Sequence, residues 1–496
     1  MPTILALDEG TTGTTALVFD TRGQVVGRGY REITQHYPAP DQIEHDAAEI
    51  FDATVAAARE ALAMADCPVE AIGITNQRET VVAWDTETLT PLGRAIVWQD
   101  RRTAPRCAEL RAAGHESEIR ERTGLLLDPY FSATKIEVLL RRVDVAAALA
   151  RGRLAVGTID SWLVAKLTGG VHVTDRTNAS RTMLANLGTG AWDPWLLDLF
   201  GVPESILPRI VGSTELVGMA DPAWFGAPLP ITGIAGDQQA ALFGQGADRP
   251  GLAKVTFGTG AFLLRYGGEG VHAQPTDGIL ATAAVGQSGI PGWAMEGSTF
   301  IAGAAVQWLR DGLGLLEHAS ESAALAASVA STDGVMFVPA FTGLGAPYWN
   351  PDARGTIVGL TRGTTRAHLV RATLEAIAHG TADLLDAMGG ATELRVDGGA
   401  AANDWLMQSL ADLLGVSVVR PALVELTAYG AARLAAIGIG RSLPAAAELG
   451  VAQRFEPSRP AAWQAHQRGE WRRAVDAALG WAESRVYSPA QEEYSG

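Results

Sequence analysis

Ile4-Leu-Ala-Leu-Asp8-Glu9-Gly-Thr-Thr-Gly13, followed by the apolar run Thr15 to Asp20, decides the fold, because the same pattern returns in mid-chain. There it reads Lys254-Val-Thr-Phe257, Gly258-Thr-Gly260 and then Ala261 to Tyr266. Each copy is a short apolar strand, a Gly/Thr turn and a second strand. Two halves that open alike point to a duplicated α/β domain. The length agrees, since 496 residues exceed what one hydrophobic core usually supports. The turn signal Asp248-Arg-Pro-Gly251 sets the expected boundary, with one domain over 1–247 and the other over 248–496. Helical stretches fill the intervals at Ala47 to Ala65, Ser132 to Leu149, Phe300 to Leu313 and His368 to Met388. The polar end, Tyr487 to Gly496, is expected to fray.

Composition narrows the function. With 39 basic and 55 acidic residues the net charge is −16, which argues against nucleic acid or an anionic membrane as the main partner. A small-molecule substrate fits better, and 47% apolar residues suffice for large cores. Lysines are confined to Lys135, Lys166 and Lys254, and no GxxxxGK[ST] motif occurs, so any ATP chemistry is not of the Walker type. Cys67 and Cys107 lack metal-ligand spacing and are too few for a disulfide framework. The amino terminus has no signal-peptide pattern, and no run approaches the roughly 18 apolar residues of a membrane helix. These features lead us to expect a cytoplasmic enzyme.

Two further segments run an apolar strand straight into polar residues: Gly73-Ile-Thr-Asn-Gln-Arg-Glu-Thr80 and Gly233-Ile-Ala-Gly-Asp-Gln-Gln239. This is how α/β proteins deliver reactive groups to the carboxyl ends of buried strands. Arg78 and Glu79 together offer a donor fork and an acceptor, which suits neighbouring hydroxyls, although such pairs also mark solvated rims. Asp237 reads either as a carboxylate for proton abstraction from an alcohol or as a helix N-cap before Gln238. Gly10, Thr11 and Thr12 can present N–H and hydroxyl donors to phosphate oxygens, with Asp8 placed to hold Mg²⁺ through water; an ordinary hairpin turn with a solvated acid is the other reading.

These segments, with Val97-Trp98-Gln99, Asp128-Pro-Tyr130, Phe341-Thr-Gly-Leu-Gly-Ala-Pro-Tyr-Trp349 and Arg395-Val-Asp-Gly-Gly399, resemble the FGGY carbohydrate-kinase family, and in particular its glycerol-phosphorylating branch. The likeness runs from about Ile4 to roughly Trp471. Gly355-Thr-Ile-Val-Gly-Leu360, followed after seven residues by His368-Leu-Val-Arg-Ala-Thr-Leu-Glu375, matches a family signature; the one around Tyr130 to Lys135 is imperfect, with Val138 where Trp is usual. The resemblance implies two actin-like ATPase (ribonuclease H-like) domains with the active site in the cleft between them. It implies ATP-dependent phosphorylation of glycerol to sn-glycerol 3-phosphate with Mg²⁺, and a homo-oligomer of two or four chains. Asp237 would be the general base. Arg78, Glu79, Tyr130, Asp237 and Gln238 would hold the glycerol hydroxyls, and Trp98 and Phe262 would wall its carbons. Thr11, Thr12, Gly13, Thr259, Gly303, Gln307, Gly399 and Asn403 would contact the nucleotide, with Asp8 at the metal.

The chain departs from that pattern in two places near the phosphates. Family members carry Gln where this chain has Glu9, and an Arg where it has Thr15. A positive charge lost and a negative one gained beside a polyanion predict weaker ATP binding, unless another Arg substitutes. The loop that binds fructose 1,6-bisphosphate in some members corresponds to Ala220-Asp-Pro-Ala-Trp-Phe-Gly-Ala-Pro228, which has neither a basic residue nor a His. No regulation by that ligand or by His phosphorylation is expected. A kinase for another polyol or sugar, or a weakly catalytic nucleotide sensor, are the alternatives.

Overall fold

The computed structural model describes residues 3–270 and 278–483, so Tyr487–Gly496 lies outside the described residues. Strand β1 (Thr3–Glu9) turns through Gly10–Thr12 into the antiparallel β2 (Gly13–Asp20), and β3 (Val25–Glu32) continues the meander. On its other side β1 pairs in parallel with β4 (Val69–Asn76). The short β5 (Gly218–Ala220) forms the far edge, and β6 (Leu229–Gly236) lies between it and β4, parallel to β4. The order is β5-β6-β4-β1-β2-β3.

The second half repeats this plan. Strands β7 (Leu252–Phe257), β8 (Ala261–Glu269), β9 (Leu280–Val285) and β10 (Pro291–Thr299) are joined by β11 (Glu393–Gly398), β12 (Ser417–Pro421) and β13 (Val451–Phe455) in the order β9-β10-β8-β7-β11-β12-β13. The series β3-β2-β1-β4-β6 and β10-β8-β7-β11-β12 are the same five-strand arrangement, antiparallel through the first three and parallel thereafter. This is the duplicated α/β architecture expected from the paired openings.

Strand alternation divides the first sheet's core between two layers. Leu5, Leu7, Ala16 and Val18 meet the helix Ala47–Ala65 on one face, while Ile4, Ala6, Leu17 and Phe19 meet the helix Leu426–Gly438 on the other. A sequence cut at 247/248 therefore is not a cut in space, because a helix from the second half completes the core of the first. That helix also crosses Asp237–Gly244 so closely that a Cβ on Gly430 would fall onto the Ala240 carbonyl.

Two of the helical expectations resolve differently. Ser132 to Leu149 is two helices, Ser132–Leu140 and Val143–Ala150, and the Phe300 stretch is a single turn, Gly303–Gln307, running into a π-helical turn at Trp308–Gly312. Among the described residues no helix is long and apolar enough to cross a membrane.

Candidate active site

Sheet register assembles the site. Asp8 and Glu9 lie opposite Thr75 and Asn76 across β1–β4, and Thr75 and Asn76 lie opposite Ala235 and Gly236 across β4–β6. The residues that follow those three strand ends, Gly10–Thr12, Gln77–Glu79 and Asp237, consequently emerge side by side. In the second sheet Phe257 lies opposite Gly398, which brings the Gly258–Gly260 turn beside Gly398–Gly399. Gly398 has φ +85°, and Gly303 packs so tightly that a Cβ would sit 2.6 Å from the Gly258 carbonyl. Gly303 N–H donates to that carbonyl at 3.0 Å. Glycine is required at both positions.

The floor of the first half's site is a buried charge cluster. Arg78 and Glu79 have side chains only 2% and 1% exposed, whereas Asp237 is 32% exposed and accessible. Arg78 Nε lies 3.1 Å from Asp237 Oδ1. The N-cap position of the helix Asp237–Gly244 is Gly236, so Asp237 occupies the first helical position; its Oδ1 faces Arg78 and also accepts the Gln238 N–H at 2.7 Å. Glu79 has φ +62°, a strained left-handed conformation for a non-glycine residue, of the kind that concentrates at functional sites. Burial pushes Glu79 upward in pKa, while Arg78 and Arg181 pull it back. Tyr130, Trp98 and Gln238 are half-buried beside this floor, and half-buried Phe262 lies opposite Ser298 across β8–β10, two positions along β10 from Glu296. Trp98 and Tyr130 meet edge to face at 5.5 Å, and Arg78 Nη2 approaches the Tyr130 hydroxyl at 3.4 Å.

Two members of the cluster were not anticipated. Arg181 Nε donates to Glu79 at 2.6 Å, and Glu296, on β10 of the second half, accepts from both Arg78 and Arg181. Glu296 could have been noticed as a lone carboxylate in the apolar run Trp293-Ala-Met-Glu296; Arg181, in a polar loop, carried no such signal. Lys254 from β7 is likewise buried and donates to Gln238 Oε1 at 2.5 Å.

Around the first Gly/Thr turn, Gln77 holds the loop: its N–H donates to the Glu9 carbonyl at 2.7 Å and its Nε2 to the Gly10 carbonyl at 3.1 Å. Trp98 Nε1 donates to Thr11 Oγ1 at 2.9 Å, which ties the aromatic wall to the turn. Asp8 is partly exposed, and burial together with the neighbouring Asp237 lifts its pKa to about 7.

Glu9 corrects an expectation. Its side chain turns away from the cleft, fully buried, and accepts hydrogen bonds from Thr14 Oγ1 and, at 3.1 Å, Thr54 Oγ1. Burial pushes its pKa up to about 8 against the lowering effect of the Thr14 and Thr54 hydrogen bonds, which favours the neutral acid over a charge exposed to the cleft. Thr15 does share the face of Asp8 across β1–β2, and its other cross-strand neighbour is Tyr30, so no cation flanks it there.

The remaining residues expected at the nucleotide are dispersed around the second half's strand ends. Thr259, Gln307 and Gly399 are exposed, and the Thr259 carbonyl accepts from Ala302 and Ala304 N–H, joining the second turn to the Gly303–Gln307 helix. Asn403 is committed as the N-cap of Asp404–Leu414, accepting from Leu406 N–H, with its Nδ2 donating to Ser322. Its side-chain oxygen is thus already engaged by the helix.

Comparison with known proteins agrees with the fold. The model of the FGGY family of carbohydrate kinases, N-terminal domain, matches residues 3–244, and that of the C-terminal domain matches residues 253–439. Glycerol kinase of Leptothrix cholodnii is 52% identical over 96% of this chain and 99% of its own, and that of Bordetella parapertussis 52% identical over 97% of each. The crystal structure of Plasmodium falciparum glycerol kinase with ADP superposes with a TM-score of 0.91 at 34% identity, covering 97% of this chain and 98% of that one. Xylulose kinase from Rhodospirillum rubrum gives a TM-score of 0.86 at 27% identity, over 97% and 100%.

Proposed function

The chain belongs to the FGGY family of carbohydrate kinases, and we propose that it transfers the γ-phosphoryl group of ATP to glycerol, forming sn-glycerol 3-phosphate. The observation that carries this reading is the meeting, at three adjacent strand ends, of an accessible carboxylate, Asp237, with a buried Arg78–Glu79 floor and a Gly/Thr turn. Phosphoryl transfer to an alcohol asks little covalent chemistry of a protein and much positioning.

In this mechanism Asp237 accepts the proton of the attacking hydroxyl. Arg78, Glu79, Tyr130 and Gln238 orient the hydroxyls, and Trp98 and Phe262 flank the carbon chain. The turns at Thr11–Gly13 and Gly258–Gly260 hold the triphosphate, with Gly303, Gln307, Gly399 and Asn403 toward the nucleoside. Asp8, whose pKa burial and the neighbouring Asp237 raise, is placed to suit a divalent cation. No cluster of three acidic, His or Cys groups occurs among the described residues, so phosphate oxygens and water would complete the shell, as Mg²⁺ prefers. When bound, Mg²⁺ supplies charge neutralisation of the polyphosphate. We take the domains as 1–247 and 248–496, with the helix Leu426–Gly438 crossing back, and the working form as a dimer or tetramer in the cytoplasm.

Arg59 donates to the carbonyls of Trp224 and Ala223 at 2.8 and 2.9 Å, pinning the Ala220–Pro228 loop against the helix Ala47–Ala65. This supports a rate that fructose 1,6-bisphosphate leaves unchanged.

The test is turnover of Mg²⁺-ATP with glycerol against a panel of polyols and pentoses and a no-acceptor control. Glycerol-dependent formation of glycerol 3-phosphate is expected. A preference for xylulose or another acceptor would move the substrate within the family, and acceptor-independent turnover would sink the assignment.

A further inference from the structure

The polyol-binding guanidinium of the first half is held by a carboxylate of the second. Arg78 Nη1 donates to Glu296 Oε2 at 2.6 Å and Nη2 to Oε1 at 2.9 Å, a bidentate pair. Arg181 Nη2 reaches the same Oε1 at 3.0 Å, while its Nε holds Glu79. Glu296 is 3% exposed at its side chain, so these contacts are made away from water. We infer that Glu296 is a positioning residue for the acceptor pocket: carried by the second half, it fixes Arg78 and Arg181, so that the pocket floor is complete only while β9–β10 is docked on the first half.

Charge and docking geometry both support this. Two guanidinia and the Glu79 carboxylate are packed together, and Glu296 supplies the second internal negative charge. Without it Arg78 and Arg181 would share Glu79, and Arg78 would keep Asp237, 3.1 Å from its Nε, as its nearest remaining carboxylate. That would draw the carboxylate away from the acceptor hydroxyl. Docking of the hairpin is built in elsewhere: Ala281 N–H donates to the Gly124 carbonyl at 2.8 Å, Ala283 N–H to Ser180 Oγ at 3.1 Å, and Gln239 Nε2 to Thr282 Oγ1 at 2.9 Å. Gln239 in turn accepts from Arg78 Nη1 at 3.3 Å. The hairpin of the second half is stitched along the residues that flank the pocket, and Glu296 is its charged contact with the floor.

The inference rests on the proposed acceptor site, and its test separates the two. Wild type is assayed first, and the acceptor it turns over best is used throughout. Glu296→Gln removes the charge at nearly constant shape. Its kcat/KM for the acceptor is expected to fall on the order of 10²-fold, as for a sub-ångström to ångström displacement of positioning groups, while KM for ATP and ADP affinity stay within about threefold. Glu296→Asp, which keeps the charge but withdraws it by one methylene, should fall between the two; it carries the same comparison if the Gln variant does not accumulate folded. Acceptor kinetics unchanged in either folded variant would overturn the inference. So would an equal loss of acceptor and nucleotide affinity with a lowered Tm, which marks a general structural role. Failure of wild type to use glycerol bears on the substrate assignment, and leaves the acceptor-against-nucleotide split to be read on whichever acceptor it does use.

Discussion

Asp237 carries most of the chemical argument at the scale of single residues. Its side chain is accessible, sits at the first position of its helix, and has Arg78 Nε at 3.1 Å to fix its direction. Asp237→Asn preserves that packing but cannot take a proton, and kcat should drop on the order of 10²–10⁴-fold with glycerol KM much less affected. Rapid turnover by the variant would leave Asp237 a structural residue. Glu9 gives a pH prediction. Burial raises its pKa from 4.5 to about 8, so the folded protein binds this proton more tightly than the unfolded chain does. The contribution is full below about pH 4.5 and is lost as pH rises toward 8, at about 1.4 kcal/mol per pH unit across that window. Glu9→Gln, isosteric with the neutral acid, should therefore match wild type near pH 4 and be more stable by roughly 3 kcal/mol at pH 7 in metal-free buffer. Urea unfolding at the two pH values checks it; an equal offset at both would refute the buried-acid account. Arg78, Glu79 and Asp237 were legible because each follows an apolar strand within a few residues. Glu296 was not, since it reaches Arg78 across 218 positions of chain and only the docking of two sheets joins them.

Elements were most readable where one period governs the whole segment. Ala47–Ala65 matches its expected span, and the two strand–turn–strand openings emerge as anticipated, because alternation and Gly/Thr turns are local signals. The break after Leu140 was missed: the apolar period continues, but tertiary contacts prevail, Arg142 donating to the Arg94 carbonyl and to Glu44. The single helical turn at Gly303–Gln307 is likewise set from outside, by the approach of Gly303 to the Gly258 carbonyl. The β1–β2 hairpin supplies the element-scale prediction. Thr15 pairs with Asp8 across β1–β2, and with the Glu9 side chain folded into the interior, the missing cation at 15 is the departure that would bear on the proposed phosphate site. Thr15→Arg should lower KM for ATP by on the order of tenfold, the worth of one charge-assisted hydrogen bond. An unchanged or higher KM would show that the turn already has the charge it needs.

Over the whole molecule, duplication in sequence has not produced two separable bodies. The helix Leu426–Gly438 buries Leu426, Tyr429 and a row of alanines against Ile4, Ala6, Leu17, Phe19 and Ala71 of the first sheet. It lies close enough that Cβ atoms on Gly73 and Gly233 would strike the backbone at Ala431 and Ala435. Small residues on both sides of this contact make sense only if helix and sheet always meet, and a sheet that faces helices on both sides cannot present one face to water. The same helix crosses Asp237–Gly244, at whose start Asp237 stands, so the spine joining the halves also carries the proposed base. Residues 1–247 expressed alone should therefore fail to reach a native state, despite containing Arg78, Glu79, Tyr130 and Asp237. The fragment is expected to bind a hydrophobic dye, to lack a cooperative thermal transition and to be cut rapidly by protease. Co-expression with residues 248–496 should restore a protease-resistant complex, because the missing face is then covered. A monomeric 1–247 fragment that melts cooperatively without its partner would show that the first domain is autonomous and that the returning helix is an accessory to its core.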